Sequence, residues 1–170
     1  MPFTTYDASI GLILKCLNSL EAILAQAEEH AKSKEINPDD YVAAKLYEDM
    51  KSLDFQIRVT VETATKCASR LLGDEPQDWK EETTFAGLRK QTADAIAILN
   101  KVNADSVEGK EANTITMGIG PGKTKSLLAK DYITGYSLPN VFFHLQTAYC
   151  ILRHKGVPLT KSIFLTPFAS

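Results

Sequence analysis

The stretch SLPNVFFHLQTAYCILRHKGVPL, residues 137–159, predicts a long buried helix that carries polar groups on an apolar face. Pro139 is a helix-start signal and Gly156 a helix-stop signal, so we expect a helix between them. Asn140 and His144 are four residues apart and therefore share one face of that helix. Because a buried imidazole needs a hydrogen-bond partner, His144 is either a satisfied core histidine or a group that lines a pocket.

Three further helices are predicted upstream, where apolar residues recur at spacings of three and four. Asn37 followed by Pro38 is a strong start signal for the second of them, and Thr83 or Thr84 would cap the third. The expected ranges of these helices are 5–32, 38–72 and 85–103.

A short β-hairpin is predicted before the last helix. Ile115, Met117 and Ile119 alternate with other residues, and a Gly-Pro-Gly turn follows. The segment GIGPGKT, 118–124, is not a phosphate-binding loop, because Met117 stands where the first glycine of that motif belongs. The predicted fold is therefore all-α: one domain over 1–170, an up-and-down four-helix bundle with one small hairpin before the last helix.

Composition limits the function classes. The chain has 170 residues and a net charge of −2, and its basic residues are scattered, so we expect no nucleic-acid partner. No run of 18 apolar residues occurs and the N-terminus lacks a basic region before its apolar run, so we expect neither a membrane span nor a signal peptide. Cys16, Cys67 and Cys150 form no CxxC pair, which is typical of reduced thiols in a cytoplasmic protein.

The second helix supplies candidate partners for His144. Asp49 lies between two leucines of the apolar stripe, and Gln56 follows it two turns later. A carboxylate on an apolar face is unfavourable unless it is paired. Asp49 is therefore expected either to hold His144 as a base or to make a structural contact with Arg153 or a lysine.

The remaining candidates are on polar surfaces or on other sides of the last helix. His154 at the end of that helix and His30 at the polar end of the first helix are expected to be solvent-exposed. Tyr149, on the remaining circumference of the last helix, is predicted to bind substrate together with Asn140 and Gln56. No HxxxH pair occurs, so the spacing of the histidines predicts no zinc site.

Three segments carry a family resemblance: PNVFFHLQTAYCILRHKGVPLTK, LYEDMKSLDFQIRV and TTYDASIGLILKCLNSLEAILAQAEEHA. Together they resemble DUF1993, a domain-of-unknown-function family similar to the DinB-like four-helix bundles. That resemblance implies a divalent metal held by three histidines and a homodimer. Arg153 and Gly156 are nine and twelve residues after His144, so the resemblance matches His144 to the second histidine of the HxxxH pair and Asn140 to the first.

The departure at Asn140 predicts a metal-free pocket without a cofactor. Amides are weak ligands for zinc or nickel, and the second helix offers only Asp49 or Gln56 where the resemblance implies a histidine. His144 is then the predicted general acid/base, oriented by these neighbours, for isomerisation, elimination or cyclisation of a small molecule, with secondary metabolism as one setting. A non-enzymatic ligand-binding or stress-related protein and a metal-dependent thiol transferase are the alternatives, so enzyme status is open.

Overall fold

The computed structural model describes residues 3–169 as helices with one two-stranded antiparallel sheet. This confirms the predicted helical class and the hairpin. The α-helices are α1 Leu12–Ser33, α2 Leu53–Leu72, α3 Phe85–Leu99, α4 Ala129–Tyr132, α5 Leu138–His154 and α6 Lys161–Leu165; the strands are β1 Thr114–Gly120 and β2 Lys123–Leu128.

The four long helices, α1, α2, α3 and α5, pack against one another around the interior. Helix α2 lies against both α5 and α3, and α1 covers α3 and α5 from the other side. The interior has two apolar clusters, one between the second half of α1 and the start of α2, and one between the first half of α1, the end of α2 and the hairpin. The α2–α5 contact places side chains of both helices together.

The hairpin caps the second cluster and forms one wall of a cleft beside α2. Ile115 and Met117 are 5% exposed and face the interior, as the alternation predicts. Ile119 is 53% exposed and lies where the strand register shifts, between Gly118 and Gly120. Gly120 and Gly122 have φ values of +134° and +66°, which glycine tolerates and other residues rarely adopt, and the register shifts at this end of the hairpin.

The second helix begins later than predicted. Asn37 does cap a turn, its side chain accepting the Asp39 backbone N–H at 3.1 Å, but that turn is a 3₁₀ segment, Pro38–Tyr41. The chain then folds back: the Leu53 N–H donates to the Ala44 carbonyl at 2.9 Å, and α2 starts at Leu53. The spacing of seven between Leu46 and Leu53 fits a helix, but Leu46 lies in the turns that precede α2 and is 36% exposed.

Helix α5, which was predicted as the last helix, is the element that the sequence describes best. Helix α5 runs Leu138–His154, and Gly156 follows it with φ +89°. A π-helical segment, Ile133–Ser137, leads into α5 from α4. The apolar C-terminal tail packs back as expected, with the Ser19 hydroxyl donating to the Phe164 carbonyl at 2.9 Å.

The helical stretch Asp7–Ser33 is long and apolar enough to cross a membrane by length and composition alone. Half of its most apolar window is buried inside the structure, and such a window also occurs in core helices of soluble proteins. The sequence-based expectation of no membrane partner therefore remains a prediction.

Candidate functional site

His144 on α5 pairs with Gln56 on α2. Its Nδ1 lies 2.7 Å from the Gln56 Oε1, and the Gln56 side chain is 2% exposed. The rings of Phe55 and Phe143 meet the imidazole edge to face, with centroids 6.0 Å and 5.1 Å away. The structure thus brings together two residues that the sequence selected as partners.

The hydrogen bonds of Gln56 fix the tautomer of His144. The Gln56 Nε2 donates to the Lys51 carbonyl at 3.0 Å, so its amide oxygen faces the imidazole. An amide oxygen only accepts, and therefore His144 Nδ1 carries the proton. The Nε2 nitrogen then carries the unprotonated lone pair. Within residues 3–169 this atom has no hydrogen-bond partner and is accessible to solvent.

Burial keeps this imidazole neutral. Desolvation lowers the pKa of His144 from 6.5 to about 4, because the surrounding rings replace water that would stabilise the imidazolium. At neutral pH the side chain is therefore an uncharged proton acceptor through Nε2. It acts as an acid only after it has taken up a proton.

Asn140 lies one turn before His144 and meets α2 at a second point. Its Nδ2 donates to the Thr63 Oγ1 at 3.1 Å, and Thr63 is 6% exposed. Because 140 pairs with 63 and 144 with 56, the two helices run antiparallel through the site. Asn140 therefore stands between His144 and the hairpin.

A cleft of about 350 Å³ opens beside Asn140, between α2, β1 and the start of α5. Its apolar lining includes Phe55, Val59 and Met117, and its polar lining includes Thr63 and Asn140. His144 does not line this cleft, but it contacts Phe55, which does. The imidazole is thus at the Phe55 end of the cleft.

Four charged side chains form a row along the α2 side of the cleft. Arg58, Glu62, Lys66 and Arg70 recur every four residues and all line it. None of these four residues was selected as a candidate from the sequence. The signal that reveals them is the regular spacing of four, which puts all four on one helical face.

Two predicted site residues lie away from this site. Asp49 is exposed in the turn before α2, so its predicted position on the core-facing stripe is wrong. The reason is that the helix containing it was predicted to start 15 residues too early. Tyr149 faces the C-terminal tail, where its hydroxyl donates to the Leu159 carbonyl at 3.3 Å and its ring packs on Phe164.

The other two histidines are distant from the α2–α5 contact in sequence and in setting. His154 is exposed at the end of α5, as predicted. His30 was predicted to be exposed but is only half-exposed, because its Nδ1 lies 3.0 Å from the hydroxyl of the buried Tyr41. His30 thus belongs to the packing between α1 and the 3₁₀ segment.

The side chains at the matched metal positions do not fit the three-histidine site that the resemblance implies. His144 is one imidazole, but the other groups are neutral amides, which bind zinc or nickel weakly, and the Gln56 oxygen and the Asn140 amide already bond His144 and Thr63. Across residues 3–169, no group of three or more histidine, cysteine, aspartate or glutamate side chains is placed to share an ion.

Comparison with known proteins agrees with this description. The sequence profile of a family described as "Domain of unknown function (DUF1993)" matches residues 5–165. A crystal structure of a DinB family member protein from Shewanella denitrificans superposes with a TM-score of 0.82 at 31% identity, covering 94% of this chain and 90% of that one. No curated protein matches the sequence. The chain therefore belongs to the DUF1993 family and has the DinB-like fold.

Proposed function

We propose that the protein is a metal-independent enzyme of small-molecule metabolism in which His144 is the proton acceptor. The observation that carries this proposal is the His144–Gln56 pair, in which His144 Nδ1 lies 2.7 Å from Gln56 Oε1. This contact leaves the unprotonated Nε2 on the side of the ring that faces away from Gln56. A neutral imidazole held in one tautomer is suited to remove a proton from a substrate and return it elsewhere. Isomerisation, elimination and cyclisation all consist of such transfers.

The cleft beside Asn140 is the proposed substrate site. It holds about 350 Å³, at the small end of ligand pockets, and combines apolar walls with a few polar groups. Asn140 and Gln56 are proposed to position the substrate and the base, respectively. Asp49 and Tyr149 have no place in this mechanism, because the first is in an exposed turn and the second faces the C-terminal tail.

A non-enzymatic ligand-binding or stress-related protein is the second candidate. The pKa of about 4 favours it, since a base of that strength is weaker than the pKa near 7 that suits general base catalysis at neutral pH. A metal-dependent thiol transferase is the third proposal, and it is disfavoured by the donor set around His144. We also propose the following properties: an up-and-down four-helix bundle, a homodimer, a cytoplasmic location, a role in secondary metabolism, and the lack of nucleic-acid or membrane partners.

Metabolite profiling tests the proposed enzyme. Untagged protein and the His144→Gln variant are incubated separately with a metabolite extract, and changes are followed by mass spectrometry. We expect the unmodified protein to convert at least one compound to a product, and His144→Gln to leave it unchanged while keeping its circular-dichroism spectrum.

Two controls separate the candidates. His154→Gln replaces an exposed histidine and should convert the compound at the unmodified rate. Retention of a metabolite without conversion would support the binding protein instead. Conversion that is lost with a chelator and restored by zinc or nickel would overturn the metal-independent mechanism in favour of the thiol transferase class.

A further inference from the structure

The charged row on α2 leaves one cation in the cleft without a carboxylate partner. Glu62 bridges two of its neighbours, accepting from Arg58 at 3.2 Å and from Lys66 at 2.5 Å. Lys66 reaches a second carboxylate, Asp78, at 2.7 Å. Burial disfavours the charge of Lys66, but these two carboxylates outweigh it and raise its pKa. Glu62, the carboxylate of the row, is therefore committed to Arg58 and Lys66.

Arg70, at the other end of the row, is held by a neutral group instead. Its Nη1 donates to the Tyr132 hydroxyl at 2.7 Å, and the guanidinium lies 5.3 Å from the centroid of that ring. Tyr132 is 0% exposed, and burial raises the pKa of its phenol above 10, so it does not ionise to neutralise Arg70. Within residues 3–169, Arg70 makes no ion pair with a carboxylate.

The anchoring of Arg70 makes it a prearranged anion-binding group. Tyr132 stacks on Tyr136, which lines the cleft, with centroids 5.7 Å apart. The guanidinium is thereby fixed at the edge of the cleft, while its remaining N–H donors are not used by Tyr132. A planar guanidinium so held binds carboxylate or phosphate oxygens through two parallel hydrogen bonds.

The lining of the cleft follows α2 for about three turns, from Arg58 to Arg70. Arg58 and Arg70 are twelve residues apart, about 18 Å along a helix at 1.5 Å per residue. A volume of about 350 Å³ over that length leaves room for an extended molecule rather than a broad one. The walls between the two arginines include the apolar side chains Val59 and Met117.

We propose that this cleft takes an extended organic anion, a carboxylate or a phosphate, whose charged head binds Arg70 and whose apolar body lies along α2 toward Phe55. The proposal rests on the cleft being the substrate site proposed above, and it names the class of molecule that the site selects. The end of the ligand that is remote from the charge then approaches His144. Arg70 is a binding residue in this arrangement, and Tyr132 is a positioning residue.

Three probes of similar shape test the assignment: 4-phenylbutyrate, its uncharged carboxamide and 3-phenylpropyl phosphate. Binding is followed by amide chemical-shift changes in two-dimensional NMR at low ionic strength. We expect an anion to perturb α2 and the start of α5 and to bind about tenfold or more tightly than the carboxamide, as a charge-assisted contact provides. Tighter binding of the phosphate or of the carboxylate identifies which head group the site prefers.

Matched variants locate the charge. Arg70→Gln should reduce anion affinity to that of the carboxamide, and Tyr132→Phe should reduce it less, because the charge remains but its anchor is lost. Lys90→Gln is the control: Lys90 is a cation on α3 outside the cleft, and it pairs with Asp94 at 2.6 Å. It should bind the anions as the unmodified protein does.

The result that overturns the inference is equal binding of anion and carboxamide in the cleft, no binding there, or unchanged anion affinity in a folded Arg70→Gln variant. The outcome is separable from that of the proposed enzyme, because His144→Gln leaves Arg70 in place. Anion binding without any His144-dependent conversion would reject the enzyme and keep the anion site. His144-dependent conversion of an uncharged compound, without anion binding in the cleft, would keep the enzyme and reject the anion site.

Discussion

The lowered pKa of His144 predicts that the protein loses stability as the pH falls below neutral, and that His144→Gln loses less. The unfolded chain takes up a proton on this side chain near pH 6.5, whereas the folded protein takes it up only near pH 4. Between those values the unfolded state binds more protons, so the free energy of unfolding decreases as the pH decreases. Above about pH 7 this histidine contributes no pH dependence.

The size of the effect follows from the separation of the two pKa values. Each pKa unit corresponds to about 1.4 kcal/mol, so the limit for a fall from 6.5 to about 4 is about 3 kcal/mol, reached below pH 4. At pH 5 the same relation gives about 2 kcal/mol. Because the imidazole is partly exposed, solvent reduces this figure, and we expect a loss of about 1 kcal/mol or slightly more between pH 7 and pH 5.

Urea unfolding at several pH values between 7 and 5 measures this loss. Carboxylates also titrate near the lower limit, so the informative quantity is the difference between the unmodified protein and His144→Gln. His154→Gln removes an exposed histidine and should follow the unmodified protein across the range. If all three proteins show the same pH dependence, His144 is not kept neutral by burial, and its description as an unprotonated acceptor at low pH is wrong.

Three further substitutions have expected effects on stability. Gln56→Leu removes the acceptor 2.7 Å from His144 Nδ1 and should lower the free energy of unfolding by about 1–3 kcal/mol, with changed imidazole ¹⁵N shifts; unchanged shifts would contradict the assigned tautomer. Thr84→Ala removes the cap of α3 and should cost about 1 kcal/mol in urea unfolding, whereas Thr84→Ser should not; equal losses would contradict capping. Gly156→Ala forces a side chain into φ +89° and should destabilise by about 1 kcal/mol, while Gly135→Ala should stabilise the helical segment; melting temperatures that shift the same way would refute the backbone argument.

Helix α5 could be predicted closely because its boundaries have local causes. Pro139 suits the first turn of a helix, and Gly156 takes a left-handed conformation that ends it. The hairpin was predictable for the same reason, since glycines at 120 and 122 supply the φ values its turn requires. In each case the deciding residues lie inside the element or directly beside it.

The start of α2 was not predictable from local pattern. The cap at Asn37 is real, but tertiary contacts end the turn it begins, with Leu53 N–H bonded back to Ala44. A spacing of seven between Leu46 and Leu53 is compatible with a helix and with a folded-back turn. That single error moved Asp49 from an exposed turn to the core and gave His144 a partner it does not have.

The candidate site was predictable only in part. His144 and Gln56 could be selected because each is a polar group on an otherwise apolar helical face. Their pairing at 2.7 Å depends on the antiparallel packing of α2 on α5, which the spacing within either helix does not determine. The cation at Arg70 was missed because its significance lies in Tyr132, which comes from another helix 62 residues later.

The pairing of Gln56 with His144 orients the imidazole through a protein group alone. In metal centres, a ligand histidine commonly donates its second ring N–H to an oxygen acceptor, which fixes the tautomer and directs the other nitrogen to the ion. Gln56 provides that acceptor here, so Nε2 of His144 is directed as a ligand nitrogen would be. Asn140, however, bonds Thr63 and supplies no second nitrogen ligand. The orientation of the imidazole therefore does not require a metal, and an oriented, neutral imidazole beside a cleft has the chemistry that the proposed proton acceptor needs.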